Sequence, residues 1–172
     1  QAGVTGRVHF FQQDLFKTAI KKATVVMLYL WPEVNLRLRP RLFTELRPGT
    51  RVVSHSHTMG DWKPDKTSEV SNHQLYFWVI PANLTGTWTW SMPTGKGSTT
   101  RLAILRINQQ FQEIKGSFTI DNADTPLASA TLTGNTVRLV AESEVDGQKV
   151  TMKFQGRAHG DAIRGSMVLP GE

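Results

Sequence analysis

Two groups of side chains in this 172-residue chain have the types and spacing to do chemistry. His55 and His57 stand two apart, with Asp61 and His73 nearby. Alternate residues of an extended strand project from one face, so both imidazoles can reach a single ion. Two histidines in a loop more often serve as surface hydrogen-bonding groups, and no metal is expected here. The second group is aromatic: Tyr29 and Trp31 close an apolar run, where aromatic rings ordinarily pack the end of a strand. Asp61-Trp62 is expected to close the rim of a pocket or pack against a sheet. The chain has no cysteine, which excludes disulfides, thiolate metal sites and a cysteine nucleophile. No constellation of acid, base and nucleophile occurs in its second half. Asn83-Leu84-Thr85 fits a glycosylation sequon, but no secretory signal accompanies it.

The stretch from Ala23 to Asp65 positions these groups, and it reads as strand, helix, strand. Thr24 to Leu30 is a continuous apolar run with β-branched residues, the pattern of a strand covered on both faces. Pro32 and Glu33 suit a helix start, Leu38, Leu42 and Leu46 recur at helical spacing, and Pro48-Gly49 ends the helix, with Pro40 able to split it. Thr50 to Ser54 begins a second strand. A parallel pair joined by a helix carries its chemistry at the carboxyl ends of the strands, here Leu30-Trp31-Pro32 and His55-Ser56-His57.

Around this unit, Gln1 to Gly6 reads as the tail of a preceding helix and its turn. Arg7 to Gln13 is strand-like, and Asp14 follows it. Asp65 to Asn72 is polar and reads as a loop, while Leu75 to Ile80 is a strong strand ended by Pro81. From Gly86 the pattern becomes short alternating segments: Thr87 to Met92, a turn around Pro93 to Ser98, Arg101 to Asn108, then segments centred on Ile114 to Ile120, Val137 to Ala141, Val150 to Phe154 and Ile163 to Leu169. Asn122, Gly134-Asn135, Asp146-Gly147 and Gly160-Asp161 punctuate them. This is an antiparallel meander of about seven strands, a curled sheet or small barrel, able to hold a ligand, recognise a protein, self-associate or cover its neighbour.

The formal charge of +6 is unevenly spread. Residues 1–66 hold eleven Lys and Arg against five Asp and Glu, 11 − 5 = +6, and the remainder holds nine of each. Arg37, Arg39, Arg41 and Arg47 cluster in and around the helix. Such a cluster attracts acidic partners or forms a solvated helix face, and without interleaved aromatics nucleic acid is not signalled. No apolar run is long enough to span a bilayer and the amino terminus lacks a signal peptide, so the expected location is cytoplasmic.

Gln13-Asp14-Leu15-Phe16, the run from Val25 to Leu42, and Pro48 to His55 followed by Gly60-Asp61-Trp62-Lys63-Pro64-Asp65 together resemble the middle and later part of a bacterial class I S-adenosylmethionine-dependent methyltransferase, akin to the seven-strand protein lysine methyltransferases. The resemblance implies that Asp14 meets the adenine amino group of the cofactor, with Leu15 and Phe16 flanking the ring. It places Tyr29 and Trp31 at the methyl-transfer centre, where aromatic walls align an amine and exclude water. The family's first two strands, its glycine-rich loop and its ribose-binding acidic residue would all precede Gln1, and no G-x-G joins a strand to a helix in this chain. In the family sheet those two strands lie between the strands matching Val8 to Gln13 and Thr24 to Leu30.

The expected fold is therefore α/β, a truncated Rossmann-like methyltransferase sheet over residues 1–82 followed by a β-rich module over 83–172. The expected function is S-adenosylmethionine-dependent methyl transfer, with a protein lysine as the candidate acceptor, completed by an amino-terminal segment or a second chain such as a homo-oligomer partner. The alternative is a non-catalytic relative whose β-rich module binds a partner or self-associates.

Overall fold

In the computed structural model, residues 3, 4, 6–93, 100–145 and 148–168 are described. The expectations for Gln1-Ala2, for residues 94–98 of the turn after Pro93, for Asp146-Gly147 and for Leu169 lie outside them. The rest forms two sheets, each with its own core.

The first sheet has four strands. Val25–Leu28 (β1) and Arg51–His55 (β2) run parallel, joined by the helix Pro32–Glu45 (α1). Pro32 supplies the preset φ of a first helical residue, and Glu33 lies at the positive end of the helix dipole. The helix ends where Leu46 N–H reaches Leu42 O and Gly49 turns at φ +93°. Pro40 does not split it. Pro40 is exposed, so the carbonyl that loses its donor lies on the solvent side. Leu38, Leu42 and Leu46 are almost wholly buried against Val52, Trp78 and Ile80, and this stripe holds the helix to the sheet.

Lys66–Val70 (β3) and His73–Val79 (β4) complete the sheet in the order β1-β2-β4-β3. The expectation of a loop from Asp65 to Asn72 is corrected: the polar Lys66–Val70 segment pairs antiparallel with β4 as an exposed edge, a place where burial is not needed. Arg7 to Gln13 forms no strand. Phe10 and Phe11 are 92% and 76% exposed, and without a neighbouring ladder β-propensity alone does not order a strand. The strand expected over Thr24 to Leu30 is shorter and covered on one face only. Val26 and Leu28 turn toward α1, while Val25, Met27 and Tyr29 face outward with Val53, His55, Leu75 and Phe77, and β1 pairs with nothing on its far side among the described residues.

The second sheet is a continuous meander of Gly86–Pro93 (β5), Thr100–Gln110 (β6), Glu113–Ile120 (β7), Ala123–Thr133 (β8), Thr136–Val145 (β9), Gln148–His159 (β10) and Ala162–Val168 (β11). The expected count of seven strands is met, including β8, for which no alternating segment had been assigned. The sheet curls without closing, since β5 and β11 are its two edges. A Cβ on Gly116 would overlap Arg106 O and one on Gly165 would overlap Gln155 O, so the tightest approaches between neighbouring strands require glycine.

Two hairpin tips of the meander clasp the first sheet. Gly134, between β8 and β9, sits against Gly49, and its carbonyl accepts from Ala82 N–H at 2.7 Å. Phe111, between β6 and β7, inserts its ring beside Phe43 and Trp62, with centroids 5.5 and 6.1 Å away, and Arg39 lies over it. Its φ of +55° belongs to the left-handed region that bulky residues avoid, so packing holds it there. Gln112 beside it accepts from Trp62 Nε1 and donates to Lys63 O. Phe111→Ala is expected to cost about 2–4 kcal/mol in denaturant unfolding, whereas a solvent-side change such as Thr89→Ser leaves stability within about 0.5 kcal/mol. An unchanged midpoint for Phe111→Ala would show that the tip does not join the two sheets.

Candidate functional site

The crossover helix forces β1 and β2 to end on the same side of the sheet, and the residues at those ends meet. Tyr29 packs edge-on to His55 with centroids 4.8 Å apart, and Trp31 stacks on His57 at 5.9 Å. His55 also lies 4.6 Å from His73, at the start of β4. Ser56 takes φ +62°, its N–H bonds to Gln74 O, and His57 N–H folds back onto His55 O, which re-aims His57 toward Trp31. The result is a wall of five rings in two clusters, Tyr29 with His55 and His73 and Trp31 with His57, with Tyr29 82% and Trp31 72% exposed.

Beneath this wall lies a buried polar support. Asn35, in the second turn of α1, is fully buried and donates from Nδ2 to Ser54 Oγ at 3.1 Å, with His57 O and Thr58 O at 3.5 and 3.4 Å. Its Oδ1 has no partner among the described residues. The following turn is fixed by Arg39, which donates to Met59 O and pairs with Asp61, holding that carboxyl below the usual carboxylate range. Gly60, at φ +68°, leaves room for Leu36, whose Cδ2 would be 2.7 Å from an added Cβ. Trp62 is buried with Trp78 and Phe43 and packs the seam, while Asp61 beside it stays exposed. Asp65 accepts from Val79 N–H at 2.7 Å, and burial nevertheless raises its pKa.

Asp14, Leu15 and Phe16 lie on the flank of α1. Asp14 Oδ1 accepts from Phe16 N–H at 2.8 Å and caps the short 3-10 turn Leu15–Lys17. The Arg37 guanidinium sits 4.3 Å over the Phe16 ring, and Arg41 donates to Leu15 O and Thr18 O while pairing with Glu45. Arg37 is about 9 Å along the helix axis from Trp31, so this turn flanks the aromatic wall without joining it. Of the arginine cluster, Arg39 and Arg41 are engaged by acceptors far away in sequence, whereas Arg37, over the Phe16 ring, and Arg47 remain exposed as a solvated face would have them. Among the described residues, no three or more His, Asp or Glu side chains are arranged to hold a metal ion, and no helix is long and apolar enough to cross a membrane.

The ANTKMT methyltransferase domain model matches residues 1–66. Those residues are similar to a methyltransferase domain, over 66 of the chain's 172 residues. The protein-lysine N-methyltransferase of Saccharolobus islandicus is 43% identical over 82 residues, 45% of this chain and 51% of that protein. A lysine N-methyltransferase of Mus musculus, named for a component of ATP synthase, is 31% identical over 68 residues, 40% of this chain and 28% of that protein. A crystal structure of an RNA methyltransferase from Salinibacter ruber with S-adenosyl-L-homocysteine is 51% identical, covering 48% of this chain and 54% of that one, with a TM-score of 0.46. The chain thus spans about half the length of the Saccharolobus protein, and β1, α1 and β2 all fall within the matched methyltransferase segment.

Sequence reasoning missed Asn35 and Ser54. A signal existed, since Asn35 stands on the stripe of Leu38, Leu42 and Leu46, where a polar residue must find partners inside. Asn35→Ala leaves Ser54 Oγ and two turn carbonyls without their donor and is expected to destabilise the fold by about 1–3 kcal/mol. Amide exchange should quicken at His57 to Met59 first; uniform exchange across the sheet would contradict a local support.

Proposed function

We propose that residues 1–82 form the carboxyl-proximal half of a class I methyltransferase domain that moves a methyl group from S-adenosylmethionine to an amine, with residues 83–172 as an appended β domain. The aromatic wall at the carboxyl ends of β1 and β2, within the matched segment, carries this reading. S-adenosylmethionine supplies a methyl group on a sulfonium, and transfer to an amine lone pair needs alignment and dryness more than an acid or base. Tyr29 and Trp31 would line the channel. Their ring faces attract a cationic alkylammonium such as a lysine side chain, which favours a protein acceptor. That ammonium would release a proton to water before the amine lone pair takes the methyl group and the sulfonium becomes a thioether. Lysine methyltransferases among the relatives support the same choice.

Asp14 would meet the adenine amino group. Its carboxylate keeps acceptor capacity beyond the Phe16 N–H, and Lys17 lies only within 3.9 Å. Leu15 and Phe16 would flank the purine, Phe16 through the ring face that Arg37 leaves open. The ribose and methionine end calls for a glycine-rich loop, which strands pairing with the open β1 edge would carry, from an upstream segment or a second polypeptide.

Calorimetric titration with S-adenosylmethionine, of the chain alone and mixed with the part of the Saccharolobus protein that it does not match, is expected to show micromolar binding at least in the mixture, weakened at least tenfold by Asp14→Ala, about 1.4 kcal/mol. Absence of heat in both at any accessible concentration would contradict a cofactor site in this chain. It would favour the non-catalytic reading, in which the β domain binds a partner.

A further inference from the structure

The β domain combines a near-even charge count with a strongly sorted surface. Along β9, β10 and β11 alternate residues divide between two faces. Val137, Leu139, Met152, Ala158, Ile163 and Met167 turn into the curl and its core. Arg138, Lys153, Arg157 and Arg164 turn outward, and all four are exposed. The strand register gathers them. Arg157 stands directly opposite Arg164 on one side and Thr136 on the other, and the next outward row is Arg138, Gln155 and Ser166. A shallow trough of about 480 Å³ runs between the two rows.

Among the described residues nothing acidic faces Arg138, Arg157 or Arg164, although Glu142, opposite Thr151, stands diagonally beside Lys153. The ion pairs of the β domain lie elsewhere, joining Arg101 to Asp121 and Arg106 to Asp124. Asp161, in the turn after β10, lines the concave side. Glu142, on the outward face of β9, is about 13 Å along the strand from Arg138. Among the described residues Arg138 has only a neutral contact, donating from Nε to Gln155 at 3.1 Å. Like charges directly opposite on a sheet repel, so the Arg157–Arg164 pair is a local cost that a bound anion would remove.

We propose that this outward face of β9, β10 and β11 binds the sugar–phosphate backbone of a double-stranded nucleic acid. Arg157 and Arg164 stand about 5 Å apart across strands, Arg138 lies one outward row (about 6.7 Å) further along, and Lys153 lies about 13 Å along β10 from Arg157, an array of cations that suits a ligand carrying a row of closely spaced negative charges. Ser166, Thr136 and Gln155 add the neutral groups that commonly accompany arginine at phosphates. No aromatic residue stands in these two rows, so the face offers no platform for unstacked bases, and a duplex read by its backbone fits better than a single strand. A membrane surface fits less well, because the two arginine rows hold only polar neighbours and the outward apolar side chains of the next row are the short valines Val140 and Val168 beside Lys153. Arg39 and Arg41 of α1 do not compete for this role, being held by Asp61 and Glu45. The proposal is independent of methyl transfer.

The test is fluorescence polarisation of labelled RNA and DNA duplexes of about 20 base pairs across about 50–200 mM salt. The unaltered chain is expected to bind with strong salt dependence. R138Q/R157Q/R164Q should weaken binding at least tenfold and reduce the slope of log K against log salt by about 2–3. Its melting temperature should hold or rise, because the opposed pair is gone. Arg47→Gln, exposed just beyond α1, should change neither quantity. The proposal is overturned by a triple variant that keeps affinity and slope, by an equal loss in Arg47→Gln, by failure of the unaltered chain to bind either duplex at low salt, or by binding to phosphatidylserine vesicles in preference to duplex.

Discussion

Parallel strands cannot be joined by a tight turn, and that constraint shapes the first half of this chain. The link from β1 to β2 must cross the sheet, and α1 does so by burying Leu38, Leu42 and Leu46 over Val52 and Trp78. Once the crossover is made, both strands end on one side. Tyr29, Trp31, His55 and His57 meet there because the topology leaves them no other place. Asn35 and Ser54 then tie the helix to the end of β2 beneath the rings. The site is therefore a product of the crossover itself.

The same sheet is built on one side. The helix covers one face; Met27, Val53, Leu75 and Phe77 lie on the other, and the β1 ladder has one neighbour among the described residues. A strand rich in Val, Met and Leu reads as a central strand, yet here it is an edge, and an exposed apolar edge is a template for pairing. The described residues of the β domain do not cover it. Its hairpin tips instead hold the opposite flank through Phe111, Gln112 and Gly134, with strain at Phe111 held by the packing of its ring. The second sheet thus stabilises the first while leaving the β1 edge open.

Much of this was legible in the residues. Pro32, the leucine spacing and Pro48-Gly49 mark α1 closely, and period-two alternation marks most of the meander. The failures are those of local reading. Arg7 to Gln13 has the composition of a strand and lacks a neighbour to pair with. Lys66–Val70 has no apolar signal and is a strand because β4 supplies the ladder. Pro126 disguises β8, which pairs with β7 up to that residue and with β9 beyond it, with a bulge between Leu127 and Ser129. Arg39 and Arg41 looked free because Asp61, the Phe111 ring and the carbonyls of Leu15 and Thr18 lie far from them in sequence. Equal charge totals hid the sorting of Arg138, Arg157 and Arg164 onto one face, since register decides faces and composition does not.

The central claim is that the β1 edge is a pairing surface for the strands that complete a methyltransferase sheet. Amide hydrogen exchange at Val25 to Leu28 tests it most directly, comparing the chain alone with the chain mixed with the part of the Saccharolobus protein-lysine N-methyltransferase that it does not match. The outward-facing amides of β1 are expected to exchange quickly alone and to slow by at least an order of magnitude on mixing, while β4 and the meander are unchanged. Unchanged exchange at β1 with the partner in excess would contradict it.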